Sequence, residues 1–438
     1  MSNHKIFDIL GIGFGPANIA LAIALEDNLR HINCKFLEAS SDSLWQGEML
    51  LDSSDIQNIP YRDLITPINP RSQFTFTNYL VENNLFFDYM NLMVKYPFRK
   101  NYAQYIKWCA DFFSNYVDYN TRAVSVYLGR DEVTDEEVYF IKSDSEIIYR
   151  ARSLVIGTGR TPYIPKEFTK IKSEKIVHST RYLSSIKLLE SKRDENFSIA
   201  VIGGSQSAVE IILDLSKKFP NARIVSFLRK FSFIQKNLSP FSYEMLYPDF
   251  IDYYFNLNQG EKEEVREHLY TTNYSSVDAD ILDELYQKIY EQKIEGNQKI
   301  WIKKNTSIET LENFQEKIKI NYKERYTKEE SVEDFDCVIL ATGFKDIGLK
   351  GNQENYPPIL KNIINYFCFN SNGLLDVRRD YSLSEKPSDH VLPPCYLNGL
   401  CETSHGFSDS GSISLLSFRA KYIKESVVKY LNNFNKRG

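Results

Sequence analysis

Apolar residues recur along the chain in short, dense runs that stop at glycine. Ile9 to Leu25 is the first: a β-branched stretch, then Gly11, Gly13 and Gly15, then an apolar, helix-like segment interrupted by Asn18. Ile199-Ala-Val-Ile leads in the same way into Gly203 and Gly204 and a second helix-like segment. Two further runs, Leu154-Val-Ile-Gly-Thr-Gly159 and Cys337-Val-Ile-Leu-Ala-Thr-Gly343, also end in small residues. Runs this short, bounded by turn residues, predict parallel strands buried on both faces. The order strand, glycine turn, helix, met twice, predicts an α/β chain with two Rossmann-like dinucleotide-binding domains.

Between and beyond these motifs the pattern changes. Pro248 to Gln298 is charged and periodic, which predicts helices over Gly260–Leu269 and Asp278–Lys293. Val133 to Ile148 partly alternates and predicts a hairpin arm, and Leu415 to Asn433 has helical spacing. The expected division is a first nucleotide domain over 1–190 and a second over 191–335. The second carries a helical substrate-binding insertion at about 236–298, and a return segment to the first domain spans 336–438.

Composition narrows the class. Of 438 residues, 42% are hydrophobic and 25% charged, the balance of a folded chain of more than one domain. A net charge of -5 gives no basic excess for nucleic acid. Met1 to Phe7 lacks the apolar run of a signal peptide, and the glycines of Ile9–Leu25 argue against a membrane span, so a cytoplasmic location is expected. The six cysteines form no C-x-x-C pair, and the six histidines are scattered, so neither a metal site nor a dithiol centre is expected.

Each glycine turn carries its own chemistry. Gly11 permits the turn, Gly13 a close approach to a pyrophosphate, and Pro16 suits the first turn of the following helix. Glu38 closes the next strand, where a carboxylate accepts hydrogen bonds from ribose hydroxyls, so this site suits FAD or NAD. In the second motif, Gly203, Gly204, Ser205, Gln206 and Ser207 open the helix, and the following strand ends in Arg229-Lys230. A base at that place pairs with a 2′-phosphate and selects NADPH. Two dinucleotide sites in one chain imply hydride transfer from NADPH to FAD.

The sequence resembles the microbial N-hydroxylating flavin monooxygenases, the lysine and ornithine N-hydroxylases of siderophore biosynthesis. Gly11-x-Gly13-x-Gly15-Pro16-x-Asn18 is similar to that family's FAD motif, and Trp45 with Met49-Leu50 to its W-x-x-x-ML element. Gln57 to Thr66, then Asn69-Pro70, Ser72, Phe74-Thr-Phe76 and Asn78-Tyr79-Leu80, resembles its flavin-and-substrate segment. Ala341-Thr342-Gly343-Phe344 and His405-Gly406-Phe407-Ser408-Asp409 resemble two further motifs, and Thr272-Asn273-Tyr274-Ser275 a third. The resemblance implies that NADPH reduces FAD and that O2 then forms a C4a-hydroperoxyflavin whose distal oxygen passes to a neutral primary amine. It also implies that Gln57 lies against the flavin and that Asn273 bridges NADP+ and substrate. Thr342, Gly343, Ser408, Asp409 and Ser412 are expected beside the cofactors, Ser414 beside the substrate, and His405 as either a general base or a structural residue. A homo-oligomer, often a tetramer among relatives, is a further expectation.

Two departures bear on the substrate. Where the family holds the substrate carboxylate with a lysine and an asparagine, this chain has Arg62 and Tyr243. A phenol offers an aromatic wall and one hydroxyl in place of an amide. The expectation is therefore an amine without an α-carboxylate, such as histamine, putrescine or cadaverine, with lysine or ornithine as the alternative. A non-catalytic nucleotide-binding sensor is the alternative of another class.

Overall fold

The structure, a computed structural model, describes residues 5–387, 392–407, 409–434 and 436. Two five-stranded parallel sheets organise it. The first runs in the order Cys395–Leu397, Leu154–Ile156, Ile9–Ile12, Cys34–Leu37, Val117–Asp118. The second runs Ile300–Lys303, Arg223–Phe227, Ser198–Ile202, Cys337–Leu340, Ile176–His178. In each, the strand that feeds the glycine turn is the central one. Its turn therefore opens at the carboxyl edge of the sheet, flanked by strands on both sides, where α/β sheets receive ligands.

Alternation builds the cores. In Ser198–Ile202, Ile199 and Val201 pack toward the helix Gln206–Lys218, while Ala200 and Ile202 pack toward an antiparallel meander, Thr306–Phe335. In the first sheet, all four residues of Ile9–Ile12 are buried, and the helices Pro16–Ala24 and Leu416–Phe434 pack on one another over it. The expected hairpin arm is part of a wider sheet in which Ala123–Arg130, Glu137–Ser143 and Ile148–Ala151 pair in turn. Its alternation is that of the middle strand alone.

The charged stretch folds as helices Pro248–Asn256, Gln259–Leu269 and Ala279–Ile294. Asn258 and Glu261 start the second with a reciprocal capping box: each side chain accepts the other's backbone N–H. The domain boundaries expected at 190 and 335 need correction. Ile176–His178 and Cys337–Leu340 both pair within the second sheet, and the chain re-enters the first only at Cys395–Leu397. The second sheet and its meander are thus built from one continuous stretch, from Ile176 to Leu340, inserted between Leu154–Ile156 and Cys395–Leu397 of the first.

A buried ion pair joins the two halves. Arg99, the first residue of helix Arg99–Asp111, meets Glu210 of helix Gln206–Lys218 through two parallel hydrogen bonds of 2.9 Å. The same guanidinium donates to the carbonyls of Met49 at 2.8 Å and Asp55 at 3.0 Å. The two side chains are only 8% and 5% exposed. Removing one partner of such a pair leaves the other buried and uncompensated. Arg99→Leu is thus expected to cost about 3–5 kcal/mol, read as a lowered thermal midpoint that is partly recovered in Arg99→Leu/Glu210→Leu. An unchanged midpoint in the single variant would show that the pair is not a stabilising contact.

Candidate active site

The first glycine turn opens on a cleft of about 450 Å3 lined by Gly13, Gly15, Pro16, Glu38, Trp45 and Ser412, among others. Gly13 has a φ of +85°, and a Cβ there would run into the carbonyl of Gly157. At Gly15 a Cβ would meet nothing within 4 Å, so the backbone is open to the cleft. The helix behind it starts at Pro16 with no side-chain cap, which leaves its first N–H groups for an anion. Glu38 holds the loop shape by accepting the N–H groups of Phe14 at 2.7 Å and Ser40 at 2.8 Å. These features fit the pyrophosphate and ribose of a dinucleotide.

Three expected site residues stand behind this cleft rather than in it. Gly11 gives room to the ring of Phe36. Asn18 is fully buried, donates to the Gly13 carbonyl at 2.7 Å and accepts from Asn398 at 2.9 Å. Asn398 accepts from Arg419 at 2.8 Å, and Arg419 in turn donates to Asp409 at 2.8 Å. Asn18 and Asp409 are thus two ends of one buried chain that fixes the glycine turn to the return segment. Ser408 lies outside the described residues.

The second turn repeats the design. Gly203, at φ +149°, has no room for a Cβ beside the Ala341 carbonyl, and Ser205 starts its helix without a side-chain cap. Gly203, Gly204 and Ser205 line a cleft of about 480 Å3 with Arg229, Lys230 and Thr342. Ser205, Arg229, Lys230 and Thr342 also line the adjoining cleft of about 860 Å3, together with Gly343. Among the described residues the Arg229 guanidinium has no ion-pair partner and is exposed, which suits a phosphate.

Where the two halves meet lies a small polar cavity of about 190 Å3. Gln57, Asn273, Tyr243 and Ser414 line it, and so do Met49, Gln206 and Ser207. Trp45 and Ser412 line both this cavity and the first cleft, so the two are neighbours. Gln57 sits at φ +53°, a left-handed conformation that a non-glycine residue keeps only when its surroundings impose it. They do: its N–H donates to Asp55 at 2.9 Å, and its amide nitrogen to Asp278 at 2.7 Å. The Asp278 N–H donates to Gln206 at 2.9 Å, and Gln206 to Glu210 at 3.0 Å, closing the circuit on the Arg99 pair. Asn273 donates to the Phe407 carbonyl at 3.4 Å; Ser412 donates to Ser414 at 2.9 Å, and Ser414 to Asn58 at 3.3 Å.

Arg62 does not line this cavity. It is near enough to Tyr243, Tyr247 and Tyr96 to act on them electrostatically. His405 lines neither cleft: it is 1% exposed, stacked on Tyr381 at 4.0 Å, and its ring nitrogens meet Ser404 and the Arg379 carbonyl. Burial pushes its pKa down to about 4, so it stays neutral and serves packing.

Several residues escaped the sequence reading. Lys236 and Asp55 line the cavity, and burial pushes Asp55 up to about 6. Between the cavity and the large cleft, Arg160 contacts Asp346 at 3.2 Å and Tyr274 at 3.3 Å, and Arg266 contacts Asp346 at 3.1 Å and Glu402 at 2.9 Å. Tyr274 and Ser410 both donate to Glu402, tying the Thr272–Ser275 element to the return segment. Nothing local in the sequence announces these partners; only Asp278 had a signal, its short distance from Thr272–Ser275.

Two Rossmann-type sheets, each opening a glycine turn on a cleft, with a buried polar cavity where the clefts converge, define a two-dinucleotide oxidoreductase. Residues 5–346 match the family L-lysine 6-monooxygenase/L-ornithine 5-monooxygenase, and the chain belongs to that family. It is 30% identical over 433 residues to the L-ornithine N(5)-monooxygenase of Pseudomonas aeruginosa, covering 97% of this chain and 94% of that protein. The solved ornithine hydroxylase of Pseudomonas aeruginosa superposes with a TM-score of 0.87 at 29% identity, over 98% of this chain and all of that one. The Kutzneria sp. 744 ornithine N-hydroxylase, solved with reduced FAD, NADP+ and L-ornithine, gives 0.88 at 25% identity, over 97% of this chain and all of that one. The chain is thus an NADPH-dependent flavin N-monooxygenase with FAD and NADPH as its cofactors, which sets aside a non-catalytic sensor. Among the described residues no helix is long and apolar enough to cross a membrane.

Arg229→Ala is expected to raise KM for NADPH by about 10- to 100-fold, the worth of a charge-assisted hydrogen bond, and KM for NADH little. Equal effects on both cofactors would remove the 2′-phosphate role.

Proposed function

We propose that the chain hydroxylates the nitrogen of a decarboxylated primary amine, histamine first, with putrescine and cadaverine in the same class, to give a hydroxylamine for a siderophore. The observation that supports this reading is the cavity wall at Tyr243. A phenol stands there beside Met245 and Leu246, and Arg62, whose charge acts on that phenol, is not among the lining residues. Arg99 also lines the cavity, but its donors are taken by Glu210, Met49 and Asp55. The lysine and asparagine with which the family grips an α-carboxylate are therefore replaced here, and an aromatic face is gained.

When bound, NADPH supplies the hydride and FAD the oxygen chemistry. Gly13, Gly15, Pro16, Glu38, Trp45 and Ser412 would hold FAD, and Gly203, Gly204, Ser205, Arg229, Thr342 and Gly343 would hold NADPH. The remaining work falls to residues of the cavity. Gln57 gives its amide N–H to Asp278 and keeps its carbonyl oxygen for the cavity, where it accepts an N–H of the amine and turns the lone pair outward. Asn273 commits its N–H to Phe407 and likewise presents an acceptor. Burial favours the neutral amine, the only nucleophilic form, and excludes water from it.

A second reading, ornithine or lysine as substrate, is favoured by one observation: Lys236 places a cation in the same cavity. A panel of histamine, putrescine, cadaverine, ornithine and lysine on FAD-reconstituted protein separates the two. NADPH oxidation, hydroxylamine and H2O2 would be followed together. Hydroxylamine from a decarboxylated amine, with little peroxide, is the expected result; turnover confined to ornithine or lysine would overturn it.

A further inference from the structure

Lys236 lines the cavity with its bonding unfinished. Its side chain is 8% exposed, and its ammonium stands 4.0 Å from the Asp278 carboxylate, beyond hydrogen-bond reach. Among the described residues it donates no side-chain hydrogen bond, although burial, with the Lys95 charge adding to it, pulls its pKa down and makes an unpartnered charge costly. It lines the cavity beside Asp55. One Asp55 oxygen accepts the Gln57 N–H; the other takes no hydrogen bond among the described residues. Asp55 and Lys236 are close enough to act on each other electrostatically. The cavity therefore offers one buried donor and one buried acceptor, while Asp278 holds Gln57 through one oxygen and faces Lys236 at 4.0 Å with the other, and the Lys95 charge also acts on Lys236.

We propose that Lys236 and Asp55 form a donor–acceptor pair that reads the non-reacting end of the substrate. The end group it takes must both accept and donate a hydrogen bond. A neutral imidazole does so with its two nitrogens. The zwitterionic head of an amino acid does so with its carboxylate and α-ammonium. The far end of a plain diamine does not: an ammonium has donors only, and beside Lys236 it meets a like charge in a buried site. The inference rests on the reading of the 190 Å3 cavity as the amine pocket, and it divides the decarboxylated amines, keeping imidazole types and rejecting diamines.

The test compares wild type, Lys236→Met and Lys236→Arg as FAD-reconstituted holoenzymes. Histamine, putrescine, cadaverine and ornithine are offered, and amine-free flavin reduction by NADPH is measured beside hydroxylamine formation. Wild type is expected to prefer histamine or ornithine over both diamines. In Lys236→Met the preferred substrate should lose about 10- to 100-fold in kcat/KM, the worth of one hydrogen bond from a charged donor, far more than amine-free reduction loses. Relative turnover of putrescine and cadaverine should rise, and Lys236→Arg should recover part of the loss. Preference of the wild type for a diamine would overturn the pair and leave N-hydroxylation standing. Equal loss in amine-free reduction would assign Lys236 to the cofactors and overturn it too. Preference for ornithine, with the Lys236→Met penalty present, would retain the pair and overturn the decarboxylated substrate.

Discussion

Arg99 and Glu210, 111 positions apart in sequence, close on one another through a buried, two-bonded ion pair, and the site is built outward from that contact. The guanidinium also carries the carbonyls of Met49 and Asp55, so it fixes the loop that presents Gln57. On the other side, Glu210 holds Gln206, Gln206 holds Asp278, and Asp278 holds Gln57 again. A residue at positive φ is thereby constrained from both halves of the molecule. Isolated ion pairs of this kind add little net stability, because desolvation offsets attraction. Their value lies in register: a planar, bidentate contact admits one relative placement of the two helices that carry it.

That placement explains why the chemistry can sit where it does. Each parallel sheet opens its central glycine turn at its carboxyl edge, and the cavity of about 190 Å3 lies where those edges converge. Ser412 and Trp45 face both the first cleft and the cavity, so a flavin held in the one reaches an amine held in the other. The Arg160, Arg266, Asp346 and Glu402 cluster ties the Thr272–Ser275 element to the return segment. There, burial pushes Glu402 up to about 7 even with two guanidinium groups nearby. A small polar cavity whose side chains are largely paired would shield an oxygen-transfer reaction from water and favour a neutral amine.

What the sequence made legible was local. A strand, a glycine turn and a helix are neighbours in the chain, so both nucleotide turns and the acid or base that follows each could be read directly from Gly11–Glu38 and Gly203–Arg229. What it hid was long-range. Lys236 carries no local mark, and Asp55 acquires its character only by burial against residues far along the chain. Arg62 stands where the family has a lysine, yet it is not among the residues that line the cavity. Asn18 and Asp409 matched cofactor motifs, yet both are spent on the buried chain through Asn398 and Arg419. The second sheet also takes in Ile176–His178 and Cys337–Leu340, on either side of the 191–335 span expected for it.

The central claim, that the Arg99–Glu210 pair sets the geometry in which oxygen reaches the amine, is tested most directly by the ratio of hydroxylamine formed to NADPH oxidised in Arg99→Lys. Lysine keeps the charge but loses the bidentate fit. The account expects the ratio to fall and peroxide to rise while FAD binding stays at the wild-type level. A ratio equal to wild type's would contradict it.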